Sequence, residues 1–109
     1  MADRVEKERA DIPEPDAVVV DGVRYEAVQW GRARGLSQNG GYIAAFDERS
    51  GRELWLLKVY DVVYDGEKED DKQDVFIASL TGDRGELRVT DERGRRYTVD
   101  TQRRAVTPA

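Results

Sequence analysis

Apolar residues recur at alternate positions in short runs, and most runs are closed by Gly beside Asp, Asn, Ser or Arg. Residues 17–20 make the first run, and Asp21-Gly22 ends it. A type I′ turn wants φ > 0 at both central positions, so this dipeptide predicts a hairpin into a strand over residues 23–28. There Val23, Tyr25 and Ala27 alternate with Arg24 and Glu26. The rhythm breaks over residues 29–41, QWGRARGLSQNGG, which predicts an irregular loop with one short helical turn. Residues 42–47 resume it, residues 48–52 turn the chain, and residues 54–65 are apolar on both faces. A strand apolar on both sides is expected in the middle of a fold. Residues 74–80 read as a further strand. Two half-buried strands follow, around Leu87 and Val89 and around Tyr97 and Val99, with a short edge strand at residues 104–106.

The pattern predicts an all-β fold, a small antiparallel meander of seven to eight strands. Such a sheet must curl into a partly open barrel or a curved sandwich. Residues 1–16 are charged and hold Pro13 and Pro15, so they are expected to form a mobile arm ahead of one domain at 17–109.

Composition removes several chemistries. The chain of 109 residues contains neither cysteine nor histidine. That excludes thiolate zinc sites and Ser-His or Cys-His catalysis, and it fits a cytoplasmic protein. No apolar run reaches membrane-spanning length, and residues 1–16 lack the apolar core of a secretory signal. The net charge is −5, concentrated in residues 1–16 and 61–74. An acidic chain argues against nucleic acid as a partner. Neither a cofactor nor a particular oligomeric state is indicated.

The run AAFDERSGRELW at residues 44–55 is similar to one repeat motif of the PQQ-type β-propellers. Ala45, Asp47, Ser50, Gly51, Arg52 and Trp55 occupy the motif's places. The resemblance implies a shaped hairpin with a docked tryptophan, while the residues themselves read Trp55 as a core anchor. A propeller needs about four blades, so one copy carries over neither that fold nor quinone binding. The wider chain resembles small bacterial proteins that share a WG-x-ARGL-x-QNGGY loop and a KQDVFI strand, a resemblance that implies no activity.

The 29–41 loop is the most distinctive candidate site. Trp30 offers a stacking face, Arg32 and Arg34 offer planar forks, and Gln38 and Asn39 offer amide edges. Together they would grip a protein partner or a small anionic ligand. The competing account is a packing plug, in which Trp30 and Leu36 cap an open end and the arginines pair with strand carboxylates such as Asp47 or Asp61. Asp65, Glu67, Glu69, Asp70 and Asp71 are hard oxygen donors, but Lys68, Lys72 and the wrong spacing argue against calcium, so no metal site is expected. Lys58 stands among apolar neighbours, where a desolvated lysine becomes a nucleophile and an ordinary one pairs or reaches solvent. No catalytic residue is assigned. Arg93, Arg95, Arg96, Arg103 and Arg104 read as surface charge guarding edge strands. The expectation is a non-enzymatic binding module, with a small-ligand or anion-binding barrel as the alternative.

Overall fold

The computed structural model describes residues 11–66 and 73–109. Among them are eight strands: β1 (Val18–Val20), β2 (Val23–Val28), β3 (Tyr42–Asp47), β4 (Glu53–Lys58), β5 (Ile77–Asp83), β6 (Glu86–Asp91), β7 (Arg96–Asp100) and β8 (Ala105–Pro108). They form two antiparallel sheets of four, in the orders β1-β2-β3-β4 and β5-β6-β7-β8. Neither sheet closes into a barrel. The turn chemistry accounts for the meander. Asp21 and Gly22 take φ of 53° and 80°, as a type I′ turn requires. Asp47 caps the β3–β4 turn: its Oδ1 accepts the N–H groups of Arg49 and Ser50 at 2.9 and 3.3 Å.

Tyr25, Ile43, Ala45, Ile77, Leu80, Leu87, Val89 and Val99 fill the core between the sheets. β1 and β2 lie against β5, so one seam between the sheets is closed. β4 and β8 are the outer strands on the other side. There Arg104 places its guanidinium 5.4 Å from the Trp55 ring centre.

Three expectations are corrected. The strand expected over residues 54–65 stops at Lys58 and is an edge, not the centre. The central role falls to β3, whose first four residues are buried. Past β4 the chain stays partly apolar for another reason. The Val59 and Tyr60 side chains remain in the core, while their backbone is held by the 29–41 segment: the Val59 N–H donates to the Gly41 carbonyl at 2.6 Å. The strand expected over residues 74–80 begins only at Ile77 and runs on to Asp83, with a bulge between Ile77 and Ser79. Before it, Glu92 takes the place of a strand partner for Phe76. Its carboxylate accepts the Phe76 N–H at 2.9 Å, and its own N–H donates to the Phe76 carbonyl at 3.0 Å. Trp55, expected as a core residue, is half-buried on its edge strand, 5.9 Å from the Tyr25 ring.

Candidate functional site

The 29–41 segment joins β2 to β3 and holds a 3-10 turn, Gly31–Arg34. Gly35 ends the turn at φ 85°, its N–H donating to the Arg32 carbonyl. The segment lies on the outer face of the first sheet. Ile43 and Ala45 point into the core, so Tyr42, Ala44 and Phe46 point outward. Gly31 sits so close to Tyr42 that a Cβ there would come within 2.8 Å of the ring and 2.3 Å of the Gln38 carbonyl. That approach is why Tyr42 is buried on an outward face.

The five residues singled out from the sequence part company here. Gln38 is 3% exposed, and its amide works inside the fold. Its Nε2 donates to the carbonyls of Tyr60 (2.9 Å) and Gly40 (3.1 Å), while its Oε1 accepts the Val62 N–H at 2.9 Å. Asn39 is also turned to the protein. Its Oδ1 accepts the Arg32 N–H at 3.0 Å and its Nδ2 donates to Asp74 at 3.2 Å. Neither amide presents an edge to a ligand.

Arg34 donates from Nη2 to both oxygens of Glu53 on β4, at 2.9 and 2.8 Å. The plug account expected such a strand carboxylate, though at Asp47 or Asp61. Arg32 is exposed and lays its guanidinium 4.3 Å from the centre of the Tyr64 ring. Trp30 is 53% exposed. One side of its ring meets Phe76, centroids 5.2 Å apart.

Beneath Arg32 lies a polar knot that the sequence did not announce. Tyr64 donates to Asp74 at 2.5 Å and accepts the Asn39 N–H at 3.2 Å. Burial, and then the bond to Asp74, push the Tyr64 phenol up to about 12. Asp74 is buried, and both its oxygens are occupied, by Tyr64 and Asn39. No periodic pattern links residues 39, 64 and 74; only the fold brings them together.

A second feature lies across the 74–76 segment from Trp30. Asp91, 1% exposed, accepts the N–H groups of Arg93 and Arg95 on Oδ1 at 2.8 and 3.0 Å. Its Oδ2 accepts from Arg95 Nε at 2.9 Å and from the Tyr97 hydroxyl at 3.2 Å. This locks the turn after β6 and holds both arginines beside a shallow cleft of about 110 Å³ lined by Asp61, Val62, Val63, Val75, Arg93 and Arg95. Tyr60, stacked on Tyr97 at 5.1 Å, donates to the Val75 carbonyl behind it. The sequence showed these arginines only as surface charge.

Lys58 is exposed and donates to Asp61 at 3.0 Å, which raises its pKa. That shift runs opposite to the one a lysine nucleophile needs. Among the described residues no cluster of carboxylates is placed to hold a metal ion. Glu67, Glu69, Asp70 and Asp71 of the acidic stretch lie outside the described residues, as do residues 1–10 of the N-terminal arm. Residues 11–16 are described, and the Pro13 carbonyl accepts a bond from Gln29 Nε2 at 3.0 Å. No helix among the described residues is long and apolar enough to cross a membrane.

No family model matches the chain, and neither a curated protein nor a solved structure does.

Proposed function

We propose that the protein is a non-enzymatic binding module that engages a protein partner through the outer side of the 29–41 segment. The observation that carries this is Trp30, a half-exposed indole on a segment whose polar side chains are bonded to the protein itself. Such a segment loses little conformational entropy on binding, and a rigid aromatic beside an arginine is the composition of an interface hot spot. Arg32 supplies that neighbour, its alignment set by Tyr64.

The test is capture from a lysate of the native host by immobilised protein, with Trp30→Ala and Arg49→Ala side by side. Arg49 is exposed on the β3–β4 turn, outside the 29–41 segment. The expected outcome is a partner retained by wild type and Arg49→Ala and lost by Trp30→Ala, with thermal unfolding of Trp30→Ala lowered only slightly. Equal retention by all three sinks this reading.

The anion-binding alternative keeps one favourable observation, the Arg93 and Arg95 cleft. Arg34 no longer serves it, because Glu53 occupies its fork. Titration with inorganic phosphate, followed by amide shifts at residues 91–95, decides that reading. Saturable shifts support it and their absence ends it.

A further inference from the structure

The outer edge of β4 has no strand partner among the described residues. An exposed edge of this kind is a template for another strand, and folds normally blunt it with proline, inward charge or cover. β8, the opposite edge, is blunted by Pro108. β4 reads Glu-Leu-Trp-Leu-Leu-Lys and carries no such device at its centre. Its Leu54 is 40% exposed. We propose that β4 is a self-complementary edge through which two copies of this chain join antiparallel, merging their first sheets into one of eight strands.

The backbone limits the register. The Val59 N–H points at Gly41. In an antiparallel ladder the direction alternates, so Leu57 and Trp55, opposite Ile43 and Ala45, also bond inward. Leu56 and Lys58 therefore present their N–H and C=O groups outward. Across a twofold axis at Leu56, these outward groups meet their own copies. Leu56 then faces the second copy's Leu56, and Trp55 faces the second copy's Leu57 on the core side.

Charge selects the same register. The bulge between Ala45 and Phe46 leaves Glu53 opposite Phe46 and Lys58 opposite Tyr42, so both acid and base point to the outer face. The axis at Leu56 sets Lys58 of each copy opposite Leu54 and next to Glu53 of the other, at both ends of the joint, joining the Arg34–Glu53 pair of one copy to the Lys58–Asp61 pair of the other. Shifting the axis to Trp55 would instead set Lys58 against Arg52, a like-charge pair. Opposite charges across neighbouring strands stabilise and like charges oppose pairing. A twofold contact of one patch with itself is the commonest way that soluble chains assemble.

Sedimentation equilibrium over a range of concentrations tests this directly. Wild type is expected to reach twice the chain mass of 12.4 kDa. Lys58→Glu sets acid beside acid at both ends and should weaken dimerisation roughly tenfold, from two unfavourable pairs. Lys58→Gln removes the charge without reversing it and should weaken dimerisation less than Lys58→Glu. Leu56→Pro removes an outward donor without touching the bonds to β3 and should give a monomer with its β signal kept. A wild type that stays at one chain mass up to millimolar protein overturns the proposal, as does a dimer indifferent to both Lys58→Glu and Leu56→Pro. None of these changes touches Trp30, so this proposal and partner capture fail separately.

Discussion

The side-chain amide of Gln29 bonds both backbone groups of Ile77, donating to its carbonyl at 3.0 Å and accepting its N–H at 3.2 Å. Gln29 follows the last residue of β2 and Ile77 opens β5, so the amide stands in for a neighbouring strand and ties the two sheets together. The same Nε2 also reaches the Pro13 carbonyl. Gln29→Ala leaves a buried N–H and C=O without partners, and unmade bonds of this kind cost about 1–3 kcal/mol. The expected loss in denaturant unfolding is therefore about 2 kcal/mol. Gln29→Glu should be no rescue, because a carboxylate cannot donate to the Ile77 carbonyl.

Gly41 makes a second test of how the 29–41 segment is seated. It has φ 84°, and a Cβ there would come within 2.7 Å of Gln38 Nε2 and 2.8 Å of the Tyr60 carbonyl. Gly41→Ala thus meets backbone strain and displaces the Gln38 amide from Tyr60. A loss of about 2–4 kcal/mol is expected, larger than that of Gly51→Ala, where φ is 76° but no atom lies within 4 Å. Equal losses at the two sites would show that strain alone matters and that the Gln38 seat is slack.

Alkali should unfold the protein through its buried phenols. The folded chain holds the Tyr64 proton up to about 12. An unfolded chain releases it near the ordinary value of about 10. Between those values the folded state binds more protons, so stability falls as pH rises and is complete below the lower value. Tyr60 and Tyr97 act in the same direction, both raised chiefly by burial. Thermal unfolding followed across this window should show a steep decline, shallower in Tyr64→Phe. A profile unchanged by Tyr64→Phe would mean that Tyr64 is solvated.

The hairpins were legible because turn chemistry is local. Asp21-Gly22 and Gly85 carry their own positive φ, and alternation around Leu87, Val89 and Val99 marks the inner face directly. Residues 54–65 misled because an apolar residue records burial without recording what buries it. Val59 and Tyr60 stay in the core after β4 ends, their backbone bonded to Gly41 and Gln38 of the 29–41 segment, and alternation does not record that change of partner. The same holds for the candidate site. Trp30 and Arg32 face outward as their types suggest, but the inward aim of Gln38 and Asn39 depends on partners at Tyr60, Val62 and Asp74. Those partners are distant in sequence and have no local signature.

Two aromatic residues separate core from edge. Phe76 is fully buried under Trp30, and Phe76→Ala should cost about 3–5 kcal/mol. Trp55 is half-buried, so Trp55→Ala should cost only about 2 kcal/mol, the part of its area that leaves water. Equal losses in chemical denaturation would show that β4 is packed as centrally as the sequence suggested.

The arginines of the 29–41 segment bind to the protein in two different ways, and a pair of cycles separates them. Arg34 meets Glu53 at a partly exposed site, where an ion pair contributes about 0.2–1 kcal/mol after solvent screening. Arg32 lies over Tyr64, and a cation on an exposed ring contributes about 0.5–1 kcal/mol. Arg32→Ala with Arg34→Ala should therefore destabilise by about 1–2 kcal/mol, or roughly 5–10 °C in a domain of this size. Adding Glu53→Ala to Arg34→Ala should cost little more than Arg34→Ala alone, and high salt should erase that pair's coupling. Adding Tyr64→Leu to Arg32→Ala should again cost less than the sum, but with weak salt dependence, because the ring carries no charge. If the double arginine variant melts with wild type, neither contact holds in solution, and both forks would be open to a ligand after all.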